Sequence, residues 1–228
     1  MGTDDLFHKR KARKAEALAR KQKLKASGRR FLIVCEGTKT EPLYFSELLH
    51  DLRVPPQRVK IAKNDGNSPD RVVAHAISLQ RDEIAVGDAY DCVYCVFDRD
   101  NHDTFAGALQ KIRGNACAGL QLKAITSTPC FELWLLLHFD FSDAPFSPAG
   151  KKSIGDTVIS RLKKKPGLTR YGKGDCGIYG LLKQRVPNAV ENAKRLRDAA
   201  RGLEAQTNAN PWTNVDELVE ALRNWPDL

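Results

Sequence analysis

Two short stretches hold the residues best suited to chemistry. "FLIVCEG", residues 31–37, runs five apolar residues into Glu36 and Gly37. "YDCVYCVFDRDNHD", residues 90–103, ends a second apolar run on Asp98, Asp100 and Asp103. Unbroken apolar runs of this length suit strands covered on both faces. In open parallel α/β sheets, ligands collect beyond the carboxyl ends of the strands. If the two strands are parallel neighbours, Glu36 and Asp98 leave the sheet at the same edge. Asp98 and Asp100 are two apart, so in extended backbone they share a face and can bracket one ion. Carboxylates so close repel: two unit charges at ~4 Å cost about 4 kcal/mol at an effective dielectric of 20. One of them protonates, or a hard divalent ion such as Mg²⁺ or Mn²⁺ joins them through oxygen ligands. Such an ion serves phosphoryl chemistry. The plainer alternative is that Asp98 and Asp100 cap a turn after the strand.

Further polar residues invite two readings each. Glu132, in the apolar "PCFELWLLLHF", is costly to bury unless bound or paired. It is a further ligand of the acidic edge, a partner for an arginine, or a cap of its own helix. Glu41 in "KTEP" invites the same readings, the cap first. Lys173 stands between two glycines in "YGKGD", where backbone can approach a phosphate closely, though the spacing is not that of a P-loop. The other reading is an ordinary turn. Lys39, just after Glu36-Gly37, is another phosphate contact candidate. His102 adjoins the acids as ligand, general acid or plain loop histidine. His138, Phe131, Trp134 and Phe139 read as core, and Trp212 and Trp225 as core or partner surface.

The elements that must position these residues alternate. Strands are expected at 31–35, 58–63, 90–98 and 120–127. Helices follow each: "TEPLYFSELLHDL"; one with Ser68 as N-cap, Pro69 at its first position and an apolar stripe of Val72, Val73, Ala76, Ile77 and Ile84; "TFAGALQKIRG" ending at Gly114; and 129–139 starting at Pro129. This is the pattern of an α/β domain with a mainly parallel sheet flanked by helices. It spans residues 30–141. Residues 142–228 form a helical C-terminal region packed on it.

Residues 1–29 form a basic N-terminal arm. Residues 1–30 hold 11 Lys and Arg against 3 Asp and Glu, a net +8 out of the chain's +9, so the rest is nearly neutral. Arg10, Lys11, Arg13 and Lys14 are candidates for the phosphate backbone of a nucleic acid or for an acidic partner. A solvated, frayed helix is the other reading. No apolar run approaches the ~20 residues of a membrane span, and the charged N-terminus does not read as a secretory signal. A reducing, cytoplasmic setting without disulfides is expected for the six cysteines. Cys92-x-x-Cys95 lies inside a strand, where its side chains face opposite ways, so packing is favoured over metal or redox chemistry.

"VCEGTKTEPLYF", "VFDRDNHD" and "STPCFELWLLLHF", then "RYGKGD" and "NAVENAKRL", resemble the RloB-like family found near bacterial restriction and phage-defence loci. The resemblance covers residues 30–225. The first two blocks also resemble the Toprim fold of primases, topoisomerases and overcoming-lysogenization-defect nucleases. It implies a Toprim-like core, Glu36 as general acid/base or metal ligand, and Asp98 and Asp100 as ligands of Mg²⁺ or Mn²⁺. It further implies a nuclease cutting RNA or DNA in antiviral defence, beside an ATPase sensor. The chain carries no nucleotide-binding P-loop of its own, so such a motor is a separate protein. The competing expectation is a non-catalytic module that binds nucleic acid or that ATPase. A phosphotransferase or phosphohydrolase of small nucleotides is a third. Nothing in the sequence excludes an oligomer.

Overall fold

The first apolar run becomes β1 (Phe31–Cys35), buried along its whole length. The computed structural model describes residues 29–64, 68–100, 102–117, 120–200 and 205–224. Arg10, Lys11, Arg13, Lys14 and Trp225 lie outside the described residues. After β1 come α1 (Thr40–Asp51), β2 (Val59–Lys63), α2 (Pro69–Ala85), β3 (Cys92–Asp98), α3 (Phe105–Cys117) and β4 (Leu122–Thr128). α4 (Glu132–Leu137), α5 (Ile154–Leu162) and α6 (Ile178–Leu182) follow. A 3₁₀ turn (Lys183–Arg185) leads into α7 (Val186–Ala199). α8 (Ala205–Asn208), β5 (Trp212–Thr213) and α9 (Val215–Arg223) complete the described chain.

The five strands form one sheet in the order β2-β1-β3-β4-β5. β2, β1, β3 and β4 are parallel, and β5 is antiparallel to β4. The chain is therefore α/β with a mostly parallel sheet flanked by helices, in keeping with a Toprim-like arrangement. β1 pairs with β3 so that Cys35 lies beside Val96, which brings both acid-ended strands to one edge. The chain leaves β1 toward β2 and returns on β1's other side as β3. The gap beyond β1 and β3 is thus the topological switch point, where such sheets bind ligands.

Alternation along the strands builds a core on each face. Phe31, Ile33, Tyr94 and Val96 pack with Tyr44, Phe45 and Leu48 of α1 and with the C-terminal helices. Leu32, Val34, Val93, Cys95 and Phe97 pack with α2 and α3. This two-sided cover is why the strands read as unbroken apolar runs. Fully burying a side chain such as Ile33 or Leu32 contributes about 1.5–3 kcal/mol. Cys92 belongs to the first cluster and Cys95 to the second, so the pair does face opposite ways. Both are free thiols.

Several boundaries differ from expectation. α3 runs through Gly114 to Cys117. α4 starts at Glu132 and is only 6 residues long, so Pro129 precedes the helix. Ser68 holds the N-cap position of α2 but makes no side-chain bond to the helix backbone. Ile84 is 46% exposed, and the buried stripe of α2 continues instead through Gln80. That amide donates to Tyr90 O (2.8 Å) and accepts from Tyr90 N–H (3.0 Å), tying α2 to the entry of β3. β5 escaped the sequence reading, since two residues carry no periodicity. It places Trp212 and Thr213 in the sheet, both buried. Among the described residues no helix is long and apolar enough to cross a membrane.

Candidate metal and phosphate site

Glu36 stands one residue past β1. Its N–H donates to Val96 O (2.9 Å), so β1's ladder carries it to the sheet edge. Its Oε2 accepts the N–H of Asp98 (3.0 Å), and its Oε1 lies 3.3 Å from His102 Nε2. The two strand ends are therefore tied by a carboxylate that spans them. Asp98 Oδ2 accepts the N–H of Phe131 (3.1 Å), which fixes the start of the α4 segment against β3.

A cavity of about 320 Å³ opens at this edge. Glu36, Glu41, Asp98, Asp100 and Glu132 line it, with Lys39, His102 and Lys173 as its basic groups. Of the expected residues, Asp103 alone among the strand-end acids is left out, on the exposed turn beyond. Asp100 reaches the cavity by a different route from the one expected. Its φ is +35°, in the left-handed region, so the alternation of an extended strand does not apply there. Its N–H donates to Pro129 O (3.2 Å), which holds that turn against the β4–α4 connection.

Gly37 has a specific task. A Cβ there would lie 2.2 Å from Glu41 Oε2. The missing side chain lets Glu41 fold back over the turn from the first helical turn of α1. Glu41 is accordingly buried within the site, beyond a mere capping role.

Glu132 is 1% exposed. Tyr171 Oη donates to its Oε1 (3.1 Å), and Lys173 Nζ lies 3.7 Å from the same oxygen. Among the described residues no arginine pairs with it. Its Oε2 is buried with no hydrogen-bond partner among the described residues. Tyr171 went unnoticed in the sequence, where it precedes the glycines of "YGKGD". Only the contact across 39 residues reveals its part.

The loop bearing Tyr171 and Lys173 is held by α1. Glu47 accepts N–H bonds from Gly177 (2.5 Å) and Tyr179 (2.9 Å). Gly174, at φ +94°, presses on the stem of Lys39, where a Cβ would come within 2.9 Å of Lys39 Cδ. Glycine is needed here both for the angle and for the approach. Asp175 closes the loop by accepting the N–H of Gly172 (2.8 Å).

The electrostatics follow from crowding. Burial, then the nearby Glu132 and Glu36, push the Glu41 carboxyl up to about 7. Burial, then Glu41, Glu132 and Asp100, holds the Asp98 carboxyl well above its ordinary value. Burial also raises Glu36 and Asp100. Burial alone would lower the Lys173 ammonium, but Glu132 and the neighbouring acids outweigh it and raise its pKa. The cavity thus concentrates negative charge and leaves it under-compensated.

The donor set is all oxygen, which suits a hard divalent cation. The unpartnered Glu132 Oε2 and the raised Asp98 and Glu41 fit one too. Among the described residues, however, no group of three or more His, Cys, Asp and Glu side chains is placed as a ready metal cage. His138 is not part of the site. It is buried in the core, bonded through Nδ1 to Trp134 O (2.9 Å), and burial pulls its pKa down to about 4.

No curated protein and no solved structure matches the chain significantly. The description "RloB-like protein" matches residues 31–222, a span from β1 into α9 that contains every residue of the cavity. The chain belongs to the RloB-like protein family.

Proposed function

We propose that the chain is a divalent-cation-dependent nuclease of bacterial antiviral defence, hydrolysing phosphodiesters of RNA or DNA at the β1/β3 edge. One observation carries this reading: five carboxylates converge on one open cavity, and among the described residues only Lys173, Lys39 and His102 line it as basic groups. Glu36, Asp98 and Asp100 would hold Mg²⁺ or Mn²⁺, with Glu41 and Glu132 beside them. Such an ion, when bound, polarises a phosphate oxygen and lowers the pKa of a water.

The chain's own residues supply the rest. Lys173 sits across the cavity mouth, 59% exposed, where its ammonium can pair with a non-bridging phosphate oxygen. The glycines beside it let backbone approach the same phosphate. Lys39, whose stem packs against Gly174, offers a second positive contact. Tyr171 holds Glu132 in place, and Glu47 holds the Tyr171–Lys173 loop. Glu36, whose Oε1 faces His102 Nε2 at 3.3 Å, is suited to accept a proton there. Arg10, Lys11, Arg13 and Lys14 of the basic arm would engage the backbone of a longer nucleic acid, a contact that weakens steeply with salt. A separate ATPase would act as sensor.

A second reading draws on the absence of a ready cage among the described residues. In it Lys173 is the permanent counter-ion of Glu132, and the protein only binds nucleic acid or its partner.

Cleavage of end-labelled single- and double-stranded RNA and DNA with Mg²⁺ or Mn²⁺ separates the two. The nuclease reading expects divalent-dependent cutting. Asp98→Ala and Glu36→Ala should each lower it by at least about 100-fold, beyond the loss from an outer-shell change, while the fold persists by circular dichroism. Cutting that survives both substitutions removes the acids from the chemistry, and no cutting of any substrate favours the binding module.

A further inference from the structure

β2 closes one side of the sheet, and only β1 pairs with it among the described residues. Phe31 N–H donates to Arg58 O (2.7 Å), and Asn64 N–H donates to Cys35 O (3.1 Å). In a parallel ladder those two bonds turn the backbone groups of residues 58, 60, 62 and 64 toward β1. The N–H and C=O groups of Val59, Ile61 and Lys63 then face outward, as a template for another strand.

The side chains of Val59 and Ile61 lie on the α1 face. With Leu49, Val54, Pro55 and Pro56 they wall a cavity of about 580 Å³ beside that edge. It lies at the last turn of α1, the opposite end from Glu41. Arg53 lines it, Lys63 stands exposed on the same face of β2 and Lys60 on the opposite face, and none forms an ion pair among the described residues. The nearest acids of α1 are engaged elsewhere: Asp51 with Tyr179 and Lys183, Glu47 with the Gly177–Tyr179 backbone.

Edge lysines also deter strands from pairing indiscriminately. That role explains the charges but not an apolar cavity alongside them. A partner that satisfies both is apolar on one face and negatively charged. A second copy would set Lys60 and Lys63 against their own counterparts. The chain's residues 1–28 carry 9 Lys and Arg against 3 Asp and Glu, the same sign as the rim.

We propose that the β2 edge and its groove take an extended acidic segment of a partner protein. The segment adds a strand to β2 through Val59, Ile61 and Lys63, seats an apolar side chain in the groove, and pairs its acids with Arg53, Lys60 and Lys63. This site is independent of the carboxylate cavity and does not require the nuclease reading.

The test uses the full chain and two capped, fluorescein-labelled probes, Glu-Val-Glu-Val-Glu-Val-Glu and its Lys-for-Glu counterpart. Fluorescence anisotropy should show the acidic probe bound at least about tenfold tighter than the basic one, a gap of about 1.4 kcal/mol. Amide shifts in ¹⁵N spectra should centre on Val59, Ile61 and Lys63. The exposed double variant Lys60→Glu/Lys63→Glu should reverse the order of the two probes. Ile61→Pro, which removes an outward N–H that β1 does not use, should abolish binding of the acidic probe with the β1 ladder retained in the spectra. Equal affinities overturn the proposal, as does no binding up to about 1 mM. Affinity unchanged in the double variant overturns it too. So does a uridine oligonucleotide that displaces the acidic probe and shifts the same amides, which would make the edge a nucleic-acid surface. Dimerisation that depends on Ile61 would make the occupant a second copy, with the same consequence.

Discussion

Asp216 and Asp98 are carboxylates at two margins of the same sheet, with opposite surroundings. Asp216, on α9 beside β5, is 0% exposed. Arg197 of α7 meets it with both arms, Nη1 to Oδ1 at 2.5 Å and Nη2 to Oδ2 at 2.7 Å. The same Nη1 donates to Thr213 O (3.0 Å), so one guanidinium ties α7, α9 and β5 together. Asp98 receives a single backbone N–H and faces Glu41, Glu132 and Asp100. A buried charge that a partner fully satisfies belongs to the architecture. A cluster of like charges left under-compensated costs stability and persists where something else uses it.

The largest effect should come from breaking the satisfied pair. Arg197→Met strands a buried carboxylate and should destabilise the fold by about 3–5 kcal/mol in urea denaturation. Adding Asp216→Leu should recover most of that loss, because an apolar pair replaces a broken ionic one.

At the acidic edge the sign reverses. Without divalent cation, Glu41→Gln should stabilise the chain at pH 8 by about 1 kcal/mol, since it removes a charge that burial disfavours. The pH profile sharpens the contrast. The folded chain raises Glu41 from 4.5 to about 7. It therefore holds that proton more tightly than the unfolded chain does. The stabilisation is complete below pH 4.5 and is lost as pH rises through about 7. His138 slopes the other way: its pKa falls from 6.5 to about 4, so its contribution is full above 6.5 and is lost as pH falls toward about 4. Melting temperatures in EDTA should decline from pH 5 to 8 in the parent chain and decline less in Glu41→Gln.

Tyr171→Phe should give the smallest change, about 1 kcal/mol or less in urea denaturation. It removes one hydrogen bond to Glu132 while Lys173 stays nearby. Its catalytic effect should exceed its effect on stability if Tyr171 fixes the carboxylate for use.

The sequence disclosed the acids that end strands and concealed those that depend on turns. Glu36 and Asp98 follow apolar runs buried on both faces, so burial itself announces where the sheet stops. Asp100 was legible as a neighbour of Asp98, but its positive φ was not, because nothing in "DRDN" requires it. Gly37 stands in the sequence only as the residue after Glu36, and nothing there shows that the room it leaves is filled by Glu41, four residues on. Tyr171 and Glu47 were invisible as site residues, since each acts through a contact far along the chain: Tyr171 with Glu132, Glu47 with Gly177 and Tyr179. In the fold, the α/β alternation was plain. β5 was too short to leave a pattern, and α2 swapped the expected Ile84 for Gln80, whose amide pairs with backbone instead of filling the core.

Mn²⁺ binding to the divalent-free chain, followed by electron paramagnetic resonance and compared with Asp98→Asn, tests the central claim most directly. The account predicts saturable binding at pH 8, a matching rise in melting temperature, and a loss of affinity of at least about tenfold in Asp98→Asn, with Arg197–Asp216 variants that still fold retaining it. Absence of saturable binding, or binding that Asp98→Asn leaves untouched, would contradict it.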